Sequence, residues 1–169
     1  MDKFSITYLL LPVDESLYYI DIENSVFISK ENGLNLDFGN LNDWTFNTGR
    51  RCTFKTGGDC KFITGSECTF KTGSDCTFKT FHRSIFDTGP FCTFDAGDNC
   101  TFKTDYSCMF HVNEGCIFDT GTTCSFLLRD INTHKFKTHD GVSTILDRKD
   151  KKRYVINKEF IALQKVRNG

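Results

Sequence analysis

Neither sign of charge dominates this chain: 21 Lys and Arg face 22 Asp and Glu, a formal net charge of −1 over 169 residues. A surface that grips nucleic acid needs a basic excess and a solvating tail needs an acidic run, so neither is expected. Long apolar runs are also missing. The longest near the start, Tyr8 to Val13, is too short to span a bilayer and lacks the basic flank and cleavage site of a secretory leader. The expectation is therefore no membrane association and an intracellular location, in a host cytoplasm or a virion. The nine cysteines include no CxxC pair, the spacing that brings two thiolates to one metal. Cys108 and His111 are an odd number of residues apart, so on a strand they face opposite sides. His82, His134 and His139 read as surface residues, and no metal or cofactor is expected.

What the chain does have is a clock. Phenylalanine falls at every eighth position from Phe38 to Phe126, and all nine cysteines sit two residues before one of these rings. A fixed period over half a chain announces a repeat architecture, in which each unit packs mainly on its neighbours. In the octad CTFKTGSD at 68–75, Cys68, Phe70 and Thr72 alternate with Thr69 and Lys71, the two-residue period of a half-buried strand. The glycine that follows, as in Thr56-Gly57 or Thr72-Gly73, is expected to supply positive φ for a turn, with Asp105 and Asn113 replacing it where it is missing.

Eight residues at about 3.3 Å each enclose too small a perimeter for a Phe-filled core, so the reading is two octads per coil. Octads starting at 36, 52, 68, 84, 100 and 116 then stack as one parallel sheet, and those at 44, 60, 76, 92, 108 and 124 as another, about 10 Å away. The predicted fold is all-β, a two-sided parallel β-solenoid of about six coils over 36–141. Its core holds Phe54, Phe62, Phe70, Phe78, Phe86, Phe94, Phe102, Phe110 and Phe118 beside Cys60, Cys76, Cys92 and Cys108. Residues 1–35 read as an N-terminal β cap with strands near 4–11, 17–22 and 25–29. Residues 142–169 read as a hairpin cap, with a further strand or helical turn at 159–163. After Arg129 the phase slips, and Phe136 marks a looser final coil at about 134–141.

Cysteines one rung apart would have parallel Cβ vectors about 4.8 Å apart, longer than a disulfide needs, so free core thiols are expected. Catalysis finds no foothold, because a nucleophile needs a base in reach and a pocket, and a packed Phe ladder offers neither. The reading is not an enzyme. Asp87, Asp95 and Asp119 take an outward slot otherwise held by lysines and read as charge neutralisation. A flat ice-binding array is absent, since the partner slot of each outward Thr is Lys, Asn or Asp. The one break in the clock's surroundings, Phe81, His82 and Arg83 before Ser84, is the candidate contact region.

The CxF pairing over 52–126 is similar to the inward pair of pentapeptide-repeat proteins, but a period of eight separates the two. The octad CTFKTGSD at 68–75 resembles the cysteine-rich octapeptide-repeat β-solenoid proteins of large DNA viruses and bacteriophages. That resemblance covers about 36–126, implies a solenoid of viral origin, and brings no catalytic residues with it. The function expected is a non-catalytic structural or protein-interaction module, a virion component or scaffold, whose protein partner is unidentified and includes a homo-oligomer. The alternative is an inhibitor of a host enzyme acting through a nucleic-acid-mimetic or other rod-like surface.

Overall fold

Inward Cys, Phe and Thr alternate with outward Thr, Lys and Asp, and each such stretch becomes one short strand with a buried Phe at its centre. The structure, a computed structural model, describes residues 4–139 and 142–157. The N-terminal strands are β1 (Ser5–Tyr8), β2 (Leu11–Pro12), β3 (Tyr19–Asp21) and β4 (Val26–Ile28). The first half of the repeat gives β5 (Leu34–Asp37), β6 (Thr45–Thr48), β7 (Thr53–Lys55), β8 (Lys61–Thr64), β9 (Thr69–Thr72) and β10 (Thr77–Lys79). The second gives β11 (Ile85–Thr88), β12 (Thr93–Ala96), β13 (Thr101–Thr104), β14 (Met109–Val112), β15 (Ile117–Thr120) and β16 (Ser125–Leu128). The chain continues with β17 (Lys135–His139), β18 (Ser143–Asp147) and β19 (Lys152–Ile156). The segment 159–163 lies outside the described residues.

Odd- and even-numbered strands of the repeat sort into two sheets. Sheet 1 runs β17-β15-β13-β11-β9-β7-β5-β1-β2, and sheet 2 runs β19-β18-β16-β14-β12-β10-β8-β6-β4-β3. Pairing is parallel from β5 to β17 and from β4 to β18, with antiparallel strands at both ends. The protein is thus a two-sided β-solenoid of about seven turns. Rings one coil apart stack face to face, as Phe62 does on Phe78 at 4.9 Å and 3°. Rings on opposite sheets meet edge to face, as Phe70 does with Phe78 at 5.1 Å and 72°. Both are favoured aromatic geometries, so one residue type satisfies both directions of packing.

Three expectations need correction. The solenoid exceeds six coils because the ladder continues through residues off the clock: Phe27 beneath Phe46, Phe136 above Phe118 and Ile145 above Phe126. Phe38, although on the clock, is not a rung. Leu36 pairs with Phe54, which places Phe38 level with Thr56. The first connection is two residues longer than the rest, and Phe38 drops into the open end of the core against Phe4, Trp44 and Phe46, at 4.8–4.9 Å.

The third correction concerns the turns. Positive φ, between 54° and 68°, occurs immediately before each Cys slot, at Asp43, Arg51, Asp59, Glu67, Asp75, Arg83, Phe91, Asn99, Ser107, Gly115 and Thr123. Neither the repeat glycine Gly73 nor its stand-ins Asp105 and Asn113 are left-handed. Gly73 is required by proximity: a Cβ there would lie 2.8 Å from the Gly58 nitrogen of the coil below. The left-handed residue faces the coil above, and its N–H donates to it, as from Asp75 to the Pro90 carbonyl at 3.0 Å. That bond offsets a conformational cost of about 1 kcal/mol.

Candidate functional site

The interior of the solenoid is filled by its own repeat. Each Phe from Phe54 to Phe118 is buried, as are Cys60, Cys76, Cys92 and Cys108. All nine thiols are free and buried. They form two files along the coils, Cys60-Cys76-Cys92-Cys108-Cys124 on sheet 2 and Cys52-Cys68, then Cys100-Cys116, on sheet 1, where Ser84 interrupts. Each thiol also donates to carbonyls of the corners, as Cys76 does to Ser74 at 3.4 Å. Hydrogen bonds from neighbouring thiols, and burial next, push Cys60, Cys68, Cys92, Cys116 and Cys124 up. The same contacts hold Cys52, Cys76, Cys100 and Cys108 lower, so each file titrates as a coupled set. Sealed under the sheets, these thiols serve as small packing groups beside the rings.

His134 belongs to the same inward file, contrary to its reading as a surface residue. Lys135 pairs with Ile117, so His134 occupies the slot one coil beyond Cys116, whose N–H donates to its Nδ1 at 3.3 Å. Burial lowers its pKa to about 4. An unfolded histidine takes its proton near 6.5, so between these values the unfolded chain binds more protons and stability falls as pH drops. The full difference corresponds to about 3 kcal/mol. The melting temperature is expected to be flat above neutrality and to fall from about pH 6.5 towards pH 5, a slope that His134→Gln removes. An unchanged slope in that variant would place the titrating group elsewhere.

The side chains available to a partner lie on the outer faces and the two corner edges. On sheet 1 the outward rank after each Phe alternates in sign, with Lys55 on Asp37 at 3.1 Å and Lys103 on Asp87 at 3.6 Å. These exposed pairs add little stability but fix the charge pattern. On sheet 2 the same rank turns apolar towards the C-terminal end. There Met109, His111, Leu127, Leu146 and Val155 line a shallow groove of about 690 Å³.

The corner leading from sheet 2 to sheet 1 carries the region singled out in the sequence. Arg51 donates to Glu67 at 2.7 Å, and Arg83 lies 3.9 Å from the same carboxylate, so the three form one rank across successive coils. His82 Nδ1 lies 3.5 Å from the Ser66 hydroxyl. Phe81 occupies the slot that is Gly65 one coil below and Gly97 one coil above. Its backbone stays in the ladder, with its carbonyl accepting from Gly97 N–H at 2.6 Å, while its ring is 67% exposed.

No family model, curated protein or solved structure matches this chain. The opposite corner holds a pair that the sequence reading passed over: Phe91 and Tyr106 meet edge to face at 5.3 Å, both about half exposed. The structure keeps this pair and Phe81 on different edges of the rod. The available signal was positional, because both residues fall in the corner portion of the octad, where the other units carry small or charged residues. Among the described residues, no group of three or more His, Cys, Asp or Glu is placed to hold a metal ion. No helix among them is long and apolar enough to cross a membrane.

Proposed function

We propose that this protein is a non-catalytic structural or protein-interaction module, a virion component or scaffold that works by presenting side chains on a rigid rod. The observation that carries the reading is the division of the repeat: its nucleophilic groups are sealed in the core, whereas large apolar groups such as Phe81 and Phe91 are held out from the corners. Exposing a phenyl ring forgoes about 2 kcal/mol of burial, so a ring fixed in the open is a contact awaiting a partner. The alternative, an inhibitor imitating nucleic acid, calls for a continuous acidic face. The aspartate rank Asp43, Asp59 and Asp75 spans only three coils, and the outward rank of sheet 1 alternates in sign.

The test combines particle composition with capture. Stoichiometric presence in purified particles, or capture of a partner that Phe81→Ser with Arg83→Glu loses and Lys103→Glu retains, is the expected result. Capture and inactivation of a nucleic-acid enzyme would favour the inhibitor instead.

A further inference from the structure

Both ends of sheet 2 are edge strands, β3 at the head and β19 at the tail. An open edge presents unpaired backbone N–H and C=O groups that another strand can use. β3 is antiparallel to β4 and β19 is antiparallel to β18, while β4 to β18 all run one way. The two edges therefore run in the same direction. Moving a second copy along the solenoid axis brings its β3 beside β19 of the first as a parallel pair.

Charge is sorted along the same axis. Residues 1–35 hold six acids against two bases, and residues 142–169 hold eight bases against three acids. At the joint itself, β3 and its turn carry Asp21 and Glu23, whereas β19 begins with Lys152 and Arg153. Charged residues on an edge strand normally block pairing between copies. Here they block head-to-head and tail-to-tail contact by like charge, and head-to-tail contact brings opposite charges together. Exposed apolar groups accompany both edges, Tyr19 and Ile22 at the head and Val155 at the tail, each more than half exposed. The ends are also stepped in complementary sense: sheet 2 extends past β17 by β18 and β19, and sheet 1 extends past β5 by both β1 and β2, one strand more than sheet 2 has there.

We infer that the partner of these ends is a second copy of this chain, joined head to tail so that sheet 2 continues across the joint from β19 to β3. The contact is heterologous and does not close, so it propagates into a filament of stacked solenoids. The inference rests on the structural-module reading and names a partner for it. It is separable from the Phe81 corner, which has its own variants and readout.

Sedimentation velocity of the full chain over about a hundredfold concentration range, at low and high salt, tests it. The mass is expected to grow with concentration and to shrink at high salt. Asp21→Lys with Glu23→Lys, and separately Lys152→Glu with Arg153→Glu, should each weaken association by about tenfold or more. Mixing the two variants should restore it, because each supplies the end that complements the other. A misfolded chain would restore nothing, so rescue separates a lost joint from a lost fold, and the salt series needs no variant. A monomer at every concentration, or association indifferent to both salt and charge reversal, would overturn the inference while leaving the corner surface as the module's contact.

Discussion

Phe70→Asp is expected to abolish cooperative thermal unfolding of the repeat. Phe70 is fully buried, stacked on Phe54 and Phe86 at 5.0 Å and edge-on to Phe62 and Phe78 at 5.2 and 5.1 Å. Loss of the ring alone costs about 3–5 kcal/mol, and an unpaired carboxylate buried between two sheets adds several more. The sum reaches the whole stability of an ordinary domain, about 5–15 kcal/mol. Because each coil touches only its neighbours, a failed rung also separates the coils on either side. Phe81→Asp, at an exposed corner ring, should by contrast leave the melt within about 0.5 kcal/mol of the parent. Circular dichroism melts of the two variants decide the matter, and an unaltered transition in Phe70→Asp would refute the ladder register.

The second large effect separates two reasons for a glycine. If Gly73 served positive φ, Gly73→Asn would be tolerated better than Gly73→Ala. The backbone gives the opposite reason, since any Cβ at this position meets the Gly58 nitrogen at 2.8 Å and the Gly57 carbonyl carbon at 3.0 Å. Both substitutions are therefore expected to destabilise, by about 1–3 kcal/mol or more, because the obstacle is backbone that cannot rotate away. Asp75, two residues on, has φ of 59°, so Asp75→Gly should be neutral or stabilising by up to about 1 kcal/mol. Denaturant unfolding of the three variants reads the ranking. An Asn at position 73 as stable as the parent would restore the turn-conformation explanation.

The repeat was legible because its period is strict and its inward residue types hardly vary. From β7 to β16 the pairs match the octad arithmetic, with Phe86 beside both Phe70 and Phe102. Legibility failed where connections change length. Phe27, Phe136 and Ile145 lie 19, 18 and 19 residues from the rungs they pack on, so no fixed period finds them. Phe38 shows the converse: it keeps the clock, yet pairing with β1 and a longer first connection move it off the ladder. The turn glycines were misassigned because a sequence shows that a Cβ is absent, not whether conformation or proximity excludes it. His134 was misread for a related reason, since the slipped phase after Arg129 hides that it falls in the Cys file.

The exposed site was less legible than the core. Phe81 announced itself by standing where the repeat has glycine. Phe91 and Tyr106 sit 15 residues apart at unlike octad slots, and only the coil geometry brings their rings together. The sorting of charge between the two ends is visible in the sequence. Its meaning depends on β3 and β19 being the two edges of one sheet, which is a fact of topology.

The central claim is that two octads make one coil, and backbone scalar couplings across hydrogen bonds test it most directly. The structure has the Ile85 N–H donating to the Cys68 carbonyl and the Thr77 N–H to the Cys60 carbonyl, both at 2.9 Å. Couplings from Ile85 nitrogen to Cys68 carbonyl carbon, and from Thr77 to Cys60, each 17 residues apart, are the predicted result. Couplings from Ile85 to Cys76 and from Thr77 to Cys68, nine residues apart, would mean one octad per coil and would contradict the two-sided solenoid.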